Sequence, residues 1–175
     1  EAIVKAIERV REDQHDDLRW FIACVVGEAR NSSAVAQRAV AHSIINRIGR
    51  REWSATRSVK DVVTFKSAYE CYGGGKKVKN FVDGENYADR YIATRGDVEG
   101  RDAVLDDLIE ATLSVFLGEA GDGHDVTLYF SPSAQRQLGR SAPEWALSSR
   151  LEDITDLLLA GSRDDFRFYR YKPKP

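Results

Sequence analysis

Leu18-Arg19-Trp20-Phe21-Ile22-Ala23-Cys24-Val25-Val26-Gly27-Glu28-Ala29-Arg30 is the stretch whose reading decides the fold. Leu18, Phe21, Ile22, Val25 and Val26 recur at i, i+3, i+4, i+7 and i+8, which places five apolar side chains on one buried helical face. Glu28 continues the turn just past that face, so its carboxyl is expected at the rim of the core. Apolar neighbours and the negative end of the helix dipole both disfavour a charged carboxylate there. A carboxylic acid that keeps its proton near neutral pH is what general acid catalysis requires. The plain alternative is a surface glutamate paired with Arg30.

Working outward, Asn31-Ser32-Ser33 is a capping cluster that opens another helix running to about residue 50. Its apolar positions Ala36, Val40, Ile44 and Ile48 recur every fourth residue. Two such helices on so short a link predict a hairpin or corner with Glu28 at the bend. A first helix is expected over 2–12, with Asp16 or Asp17 capping the second. A short helix is expected around Val59, Val62 and Val63, another over 87–94, and a long amphipathic one over 100–117. Val126–Phe130 is β-prone and stops at Ser131-Pro132. Leu151–Leu159 reads as a helix, and Phe166–Tyr171 as a late strand or extended tail. The predicted fold class is therefore mainly α (α+β), with at most a small β-hairpin.

The 175 residues suit one domain, 1–175, and are few for two. The formal net charge of −2, with lysines and arginines scattered, argues against a nucleic-acid partner. No apolar run reaches the length of a membrane span. Glu1 is not a natural start, so the chain reads as excised from a longer one. Three histidines, His15, His42 and His124, lie without ligand-like spacing to each other or to Cys24 and Cys71, so neither a metal nor another cofactor is expected. The two cysteines permit one disulfide or two buried thiols.

Gly27-Glu28-Ala29-Arg30, followed by Val40-Ala41-His42-Ser43-Ile44-Ile45-Asn46-Arg47, resembles the SleB-like cell-wall hydrolases. Tyr69-Glu70-Cys71-Tyr72 is similar to that family's aromatic-x-Cys-aromatic cluster. Thr127-Leu128-Tyr129 and Pro143-Glu144-Trp145 look like its two later motifs, with Leu128 standing where the family usually has histidine. The resemblance runs from about Leu18 to Trp145 as short motifs in order, and the tail beyond Arg150 lies outside it. It implies a lysozyme-like fold. It also implies cleavage of the β-1,4 bond between N-acetylmuramic acid and N-acetylglucosamine, by hydrolysis or by lytic transglycosylation, with Glu28 as general acid. Glu70 is the foremost candidate for a second carboxylate, ahead of Asp61 and Glu52; the equal alternative is that none of them is catalytic, since a transglycosylase needs no second carboxylate. Tyr69, Tyr72, Tyr129 and Trp145 are candidate platforms for sugar rings, and Thr127 a candidate hydrogen-bonding residue. For each aromatic, core packing is an equal alternative. Asn46 and Arg47 are candidates to order backbone near Glu28, with Arg47 equally readable as a helix-end charge of no consequence.

One internal competitor exists. Gly118-Glu119-Ala120 repeats the Gly-Glu-Ala triplet at the end of another apolar helix, but runs into the turn Gly121-Asp122-Gly123. Expected partners are peptidoglycan glycan strands and, for a delivered antibacterial effector, an immunity protein; a phage lysin is the other setting considered. The chain is expected to act as a monomer at the cell wall or in the periplasm. The rival class is a peptidoglycan-binding module that keeps the fold without turnover.

Overall fold

The computed structural model describes residues 2–66, 68–100, 102–121 and 123–173. Eight α-helices are present among them: α1 (Ala2–Glu8), α2 (His15–Ala29), α3 (Ala34–Arg47), α4 (Val59–Thr64), α5 (Lys79–Ala93), α6 (Ala103–Phe116), α7 (Pro132–Gln137) and α8 (Thr155–Leu159). Three short strands, β1 (Leu128–Phe130), β2 (Leu151–Asp153) and β3 (Arg167–Tyr171), form an antiparallel sheet with β3 in the centre. The protein is mainly helical with one small sheet.

Helix α2 is the axis of the core. It is buried all round, not on one face only: every residue from Trp20 to Val26 is below a tenth exposed. The reason lies in composition, because Ala23 and Cys24, on the side away from the periodic face, are small enough for neighbours to close over them. Helix α5 lies closest. An added Cβ at Gly84 falls 2.8 Å from the Ala23 Cα and 2.9 Å from the Val26 Cβ, so the two backbones approach as only glycine permits. The same contact carries Glu85, which is buried and accepts from Lys77 Nζ at 2.8 Å and from Arg19 at 2.9 Å.

Helix α3 begins at Ser33, whose Oγ accepts from the Ala36 N–H at 3.3 Å. At the start of α2, neither Asp16 nor Asp17 is the cap. Both sit in its first turn, and Asp17 reaches across to accept from Val59 N at 3.2 Å, tying α4 to α2. The helix expected over 151–159 divides into β2 and α8, because Leu151–Asp153 pairs with Tyr169–Tyr171 before the chain turns helical at Thr155. Helix α5 begins at Lys79, earlier than periodicity suggested, and α7 was not anticipated.

Alternation along β1 separates two apolar clusters. Tyr129, opposite Phe168, faces the main core, while Leu128 and Phe130 face a smaller cluster with Trp53, Leu151, Tyr169 and Trp145. Glu119 lies past α6, exposed and paired with Arg9; Asp122 of the turn that follows lies outside the described residues.

Gly84→Ala improves helix propensity by about 1 kcal/mol but forces a methyl into backbone, at about 1–3 kcal/mol. We expect a net loss of up to about 2 kcal/mol in urea unfolding; a stabilised variant contradicts the close packing of α2 on α5.

Candidate active site

Glu28 is the penultimate residue of α2, half-buried at the end of that apolar helix. It does not pair with Arg30, whose Nη1 donates to Asp83 at 3.1 Å. Its carboxyl instead receives two donors from distant parts of the chain: the Cys71 N–H reaches Oε1 at 2.7 Å, and the Tyr129 hydroxyl reaches Oε2 at 2.8 Å. Each bond has a local cause.

The first depends on Gly27. A Cβ at that position falls 2.6 Å from the Cys71 Cβ and 2.9 Å from its Sγ, so residue 27 must lack a side chain for the 3-10 turn Glu70–Gly75 to come this close. Cys71 Sγ lies 3.9 Å from Cys24 Sγ, nearly twice a bonded distance, and both are free thiols. The contact with Cys24, then burial, pushes the Cys71 thiol up; burial does the same to Cys24. Both remain protonated and serve as packing.

The second bond depends on β1. Tyr129 is held by the register opposite Phe168, and its ring packs edge-on to Phe166 with centroids 5.6 Å apart. Burial, and then the negative charge of Glu28, raise its phenol well above the ordinary range. It therefore stays a neutral hydroxyl, able to donate to a carboxylate or accept from a carboxylic acid, so Glu28 keeps a partner in either protonation state.

Helix α3 fixes both segments. Asn46 Nδ2 donates to the carbonyls of His124 and Val126, each at 2.7 Å, which delivers the chain into β1. The buried Arg47 donates to Thr127 O at 2.8 Å and Ala68 O at 3.3 Å, bridging β1 to the segment before Glu70. Its guanidinium also lies over the rings of Trp53 and Tyr69.

These elements surround a cleft of about 750 Å3 with Glu28, Glu70 and Tyr129 in its lining, and Trp145 and Phe130 among its aromatic walls. Glu70 is raised from the usual carboxylate range by burial first and by the charge of Glu28 second, with Arg140 opposing. The two carboxyl groups therefore sense one another across the site.

Three expected sugar-binding residues are not in the cleft. Tyr69 is 1% exposed, capped by Arg47 and hydrogen-bonded to Ser43, so no face is free for a sugar. Tyr72 packs against Trp20 and Phe81 instead. Thr127 is fully buried, its N–H donating to Tyr169 O at 3.0 Å and its carbonyl taken by Arg47. All three build the scaffold beneath the site. Asp61 caps α4, and Glu52 also lies outside the cleft lining.

The opposite wall comes from the tail that the motifs left unread. Asp164 accepts from the Ser33 N–H at 2.9 Å and from the Ser33 hydroxyl; Asp165 accepts from the Ser133 N–H at 3.0 Å and the Ser131 hydroxyl at 2.5 Å. Burial works against ionisation at both, yet these hydroxyl and N–H donors hold the pair below the usual carboxylate range. Two successive aspartates thus pin the 162–166 loop to the N-termini of α3 and α7. The only sequence signal for this wall was the aromatic alternation of 166–171. Among the described residues no cluster of histidine, cysteine and carboxylate side chains is arranged to hold a metal ion.

Compared with known proteins, the chain matches no family model, no curated protein and no solved structure.

Gly27→Ala should push the 70–75 turn away and deprive Glu28 of its N–H donor. Hydrogen exchange at the Cys71 amide is expected to accelerate at least tenfold; unchanged protection contradicts the role given to Gly27. Glu70 yields a second test. Its folded-state value lies above the unfolded one, so its contribution to folding is complete below the unfolded carboxylate range and is lost as pH rises through the folded value. Glu70→Gln should therefore gain stability relative to wild type between about pH 4 and pH 7, and Glu28→Gln should lower the Glu70 midpoint in side-chain carboxyl NMR. A difference flat in pH, with an unmoved midpoint, rejects the coupling.

Proposed function

We propose that the cleft is the active site of a peptidoglycan glycosidase with Glu28 as its general acid. One observation carries this reading: both oxygens of a single glutamate are engaged by donors from two separate segments, Cys71 and Tyr129, at the floor of an open aromatic-walled cleft. A surface glutamate has no need of such fixing; a proton donor aimed at one bond does. Those two segments, with the Gly27–Arg30 and Asn46-Arg47 stretches, are also the ones that resemble SleB-like cell-wall hydrolases, which supports a lysozyme-like fold.

The substrate lies across the mouth with sugar faces against Tyr129 and Trp145, while Asn31 and Gln135 offer hydrogen bonds to N-acetyl and hydroxyl groups. Glu28 donates its proton to the bridging oxygen between N-acetylmuramic acid and N-acetylglucosamine, and the C–O bond to the anomeric carbon breaks. The conjugate carboxylate is then held by the Tyr129 hydroxyl and the Cys71 N–H. Glu70, on the same cleft, stabilises the positive charge developing at the anomeric carbon; in hydrolysis it takes the proton of the attacking water, and in transglycosylation the Glu28 carboxylate takes back the proton of the attacking muramoyl 6-hydroxyl. No metal or cofactor enters these steps. The enzyme acts on the bacterial cell wall, as an effector or lysin domain.

A second division of labour rests on Glu70. Burial and the charge of Glu28 keep its proton on longer, which suits an acid, and Glu28, with two donors, then acts as the ionised partner. An aryl glycoside with an activated leaving group separates the two, because loss of the acid is tolerated there and loss of the ionised partner is not.

Wild-type protein is expected to release soluble muropeptides from purified sacculi. Glu28→Gln should lower the rate by about 10²–10⁴, and Tyr129→Phe by about 10–100-fold through loss of one hydrogen bond to a charged group. Mass spectrometry of reducing or anhydro ends then assigns hydrolysis or transglycosylation. Sacculus binding without release identifies a non-catalytic binding module instead.

A further inference from the structure

The cleft does not end at Trp145. A second hollow of about 420 Å3 shares Ala68, Tyr129 and Trp145 with it and is walled by Trp53, Phe65 and Leu128. A third, of about 650 Å3, shares Glu52 and Tyr171 with the second. Glu52 and Tyr171 stand between these two, in the lining of both. The three hollows thus run in series from the Glu28 floor.

Their charge is lopsided. Arg47 and Lys66 line the second hollow and Arg50, Arg51, Arg150 and Lys172 the third, against the single carboxylate of Glu52. The whole chain is formally −2, so this concentration of cations is local. Several cations elsewhere are matched by carboxylates: Arg19 with Glu85, Arg30 with Asp83, Arg170 with Asp125 and Glu152. Arg51, Lys66, Arg150 and Lys172 have no ion-pair partner among the described residues, and Arg50 lies over the Tyr171 ring, 5.2 Å from its centroid.

Resting on the glycosidase reading, we infer that this trough receives the acidic peptide stem carried by the muramoyl unit, so that the preferred substrate is stem-bearing glycan. In peptidoglycan the sugar rings are neutral and the carboxylates sit on the stems. A glycan cleft that continues into unpaired arginines and lysines is therefore complementary to the stem and not to the sugar chain. The aromatic second hollow suits the stem's apolar alanyl and methylene groups on the way to the cationic end.

The test compares stem-bearing glycan strands with strands of equal length from which an amidase has removed the stems. Wild type should cleave the stem-bearing strands about tenfold more efficiently in kcat/KM at low ionic strength, and the ratio should shrink toward one at about 0.5 M salt, where exposed charges are screened. In the exposed charge-reversal variant Arg51→Glu/Arg150→Glu the low-salt ratio should also fall to about one. Equal cleavage of both strands by wild type at low salt overturns the inference and leaves the glycosidase reading standing. A ratio unaffected by both salt and charge reversal also overturns it. Cleavage of neither strand removes both readings, and tight seating of an acidic protein in the trough with no stem preference assigns the surface to a protein partner instead.

Discussion

The closest constraint in the molecule is the approach of the Glu70–Gly75 turn to α2 at Gly27. Remove any side chain from residue 27, and Cys71 can settle against the helix backbone with its N–H aimed at the glutamate next along. Restore one and the turn must retreat, since the clash is with a Cβ and a sulfur that are themselves enclosed. The buried thiols follow from the same contact. Each is small, apolar and adaptable, and at 3.9 Å their sulfurs fill the space that the missing Cβ leaves. The site is thus built on an absence of atoms, which makes its geometry depend on core packing more than on any polar bond.

A second layer of control comes from α3. Asn46 and Arg47 are neighbours in sequence, yet they grip carbonyls on either side of the cleft floor, Val126 and Thr127 before Tyr129 and Ala68 before Glu70. Charge-assisted bonds to carbonyls are among the stronger hydrogen bonds, and a buried arginine satisfied this way needs no carboxylate nearby to compete with the site. Both donors to Glu28 are consequently positioned from one rigid helix. The loop carrying Asp164 and Asp165 is anchored at the N-termini of α3 and α7, so the helix that sets the floor also holds part of the far wall.

What could be read in the sequence follows the range of the signal. The 3.6-residue periodicity of α2, α3 and α6 is local and was legible, as was the strand signal in 126–130 and 166–171. The bend at Glu28, and Glu70 and Trp145 as cleft residues, followed from local arguments or from resemblance. Where reading failed, tertiary contacts decided. Leu151–Asp153 looks helical alone but pairs with β3. Asp17 looks like a cap for its own helix but serves α4. Tyr69 and Thr127 look like ligand contacts because they stand in the right motifs, yet Arg47 draws both inward. A motif marks a neighbourhood; it does not say which of its side chains face water. The aspartate pair at 164 and 165 carried no periodicity, so nothing local announced that wall.

Glu119 shows why position on a helix is insufficient. It belongs to the same Gly-Glu-Ala triplet, follows an equally apolar helix, and stands close to the same negative dipole end. Yet it is solvent-exposed and bound to Arg9, and it contacts nothing that resembles a cleft. The dipole and nearby apolar residues act on both glutamates; the Cys71 N–H and the Tyr129 hydroxyl act on one. Those two donors come from 43 and 101 residues away, respectively. The chemistry proposed for Glu28 therefore arises from closure of the fold around the end of α2. A local triplet can nominate the residue, but only the long-range contacts distinguish a proton donor from a solvated surface charge.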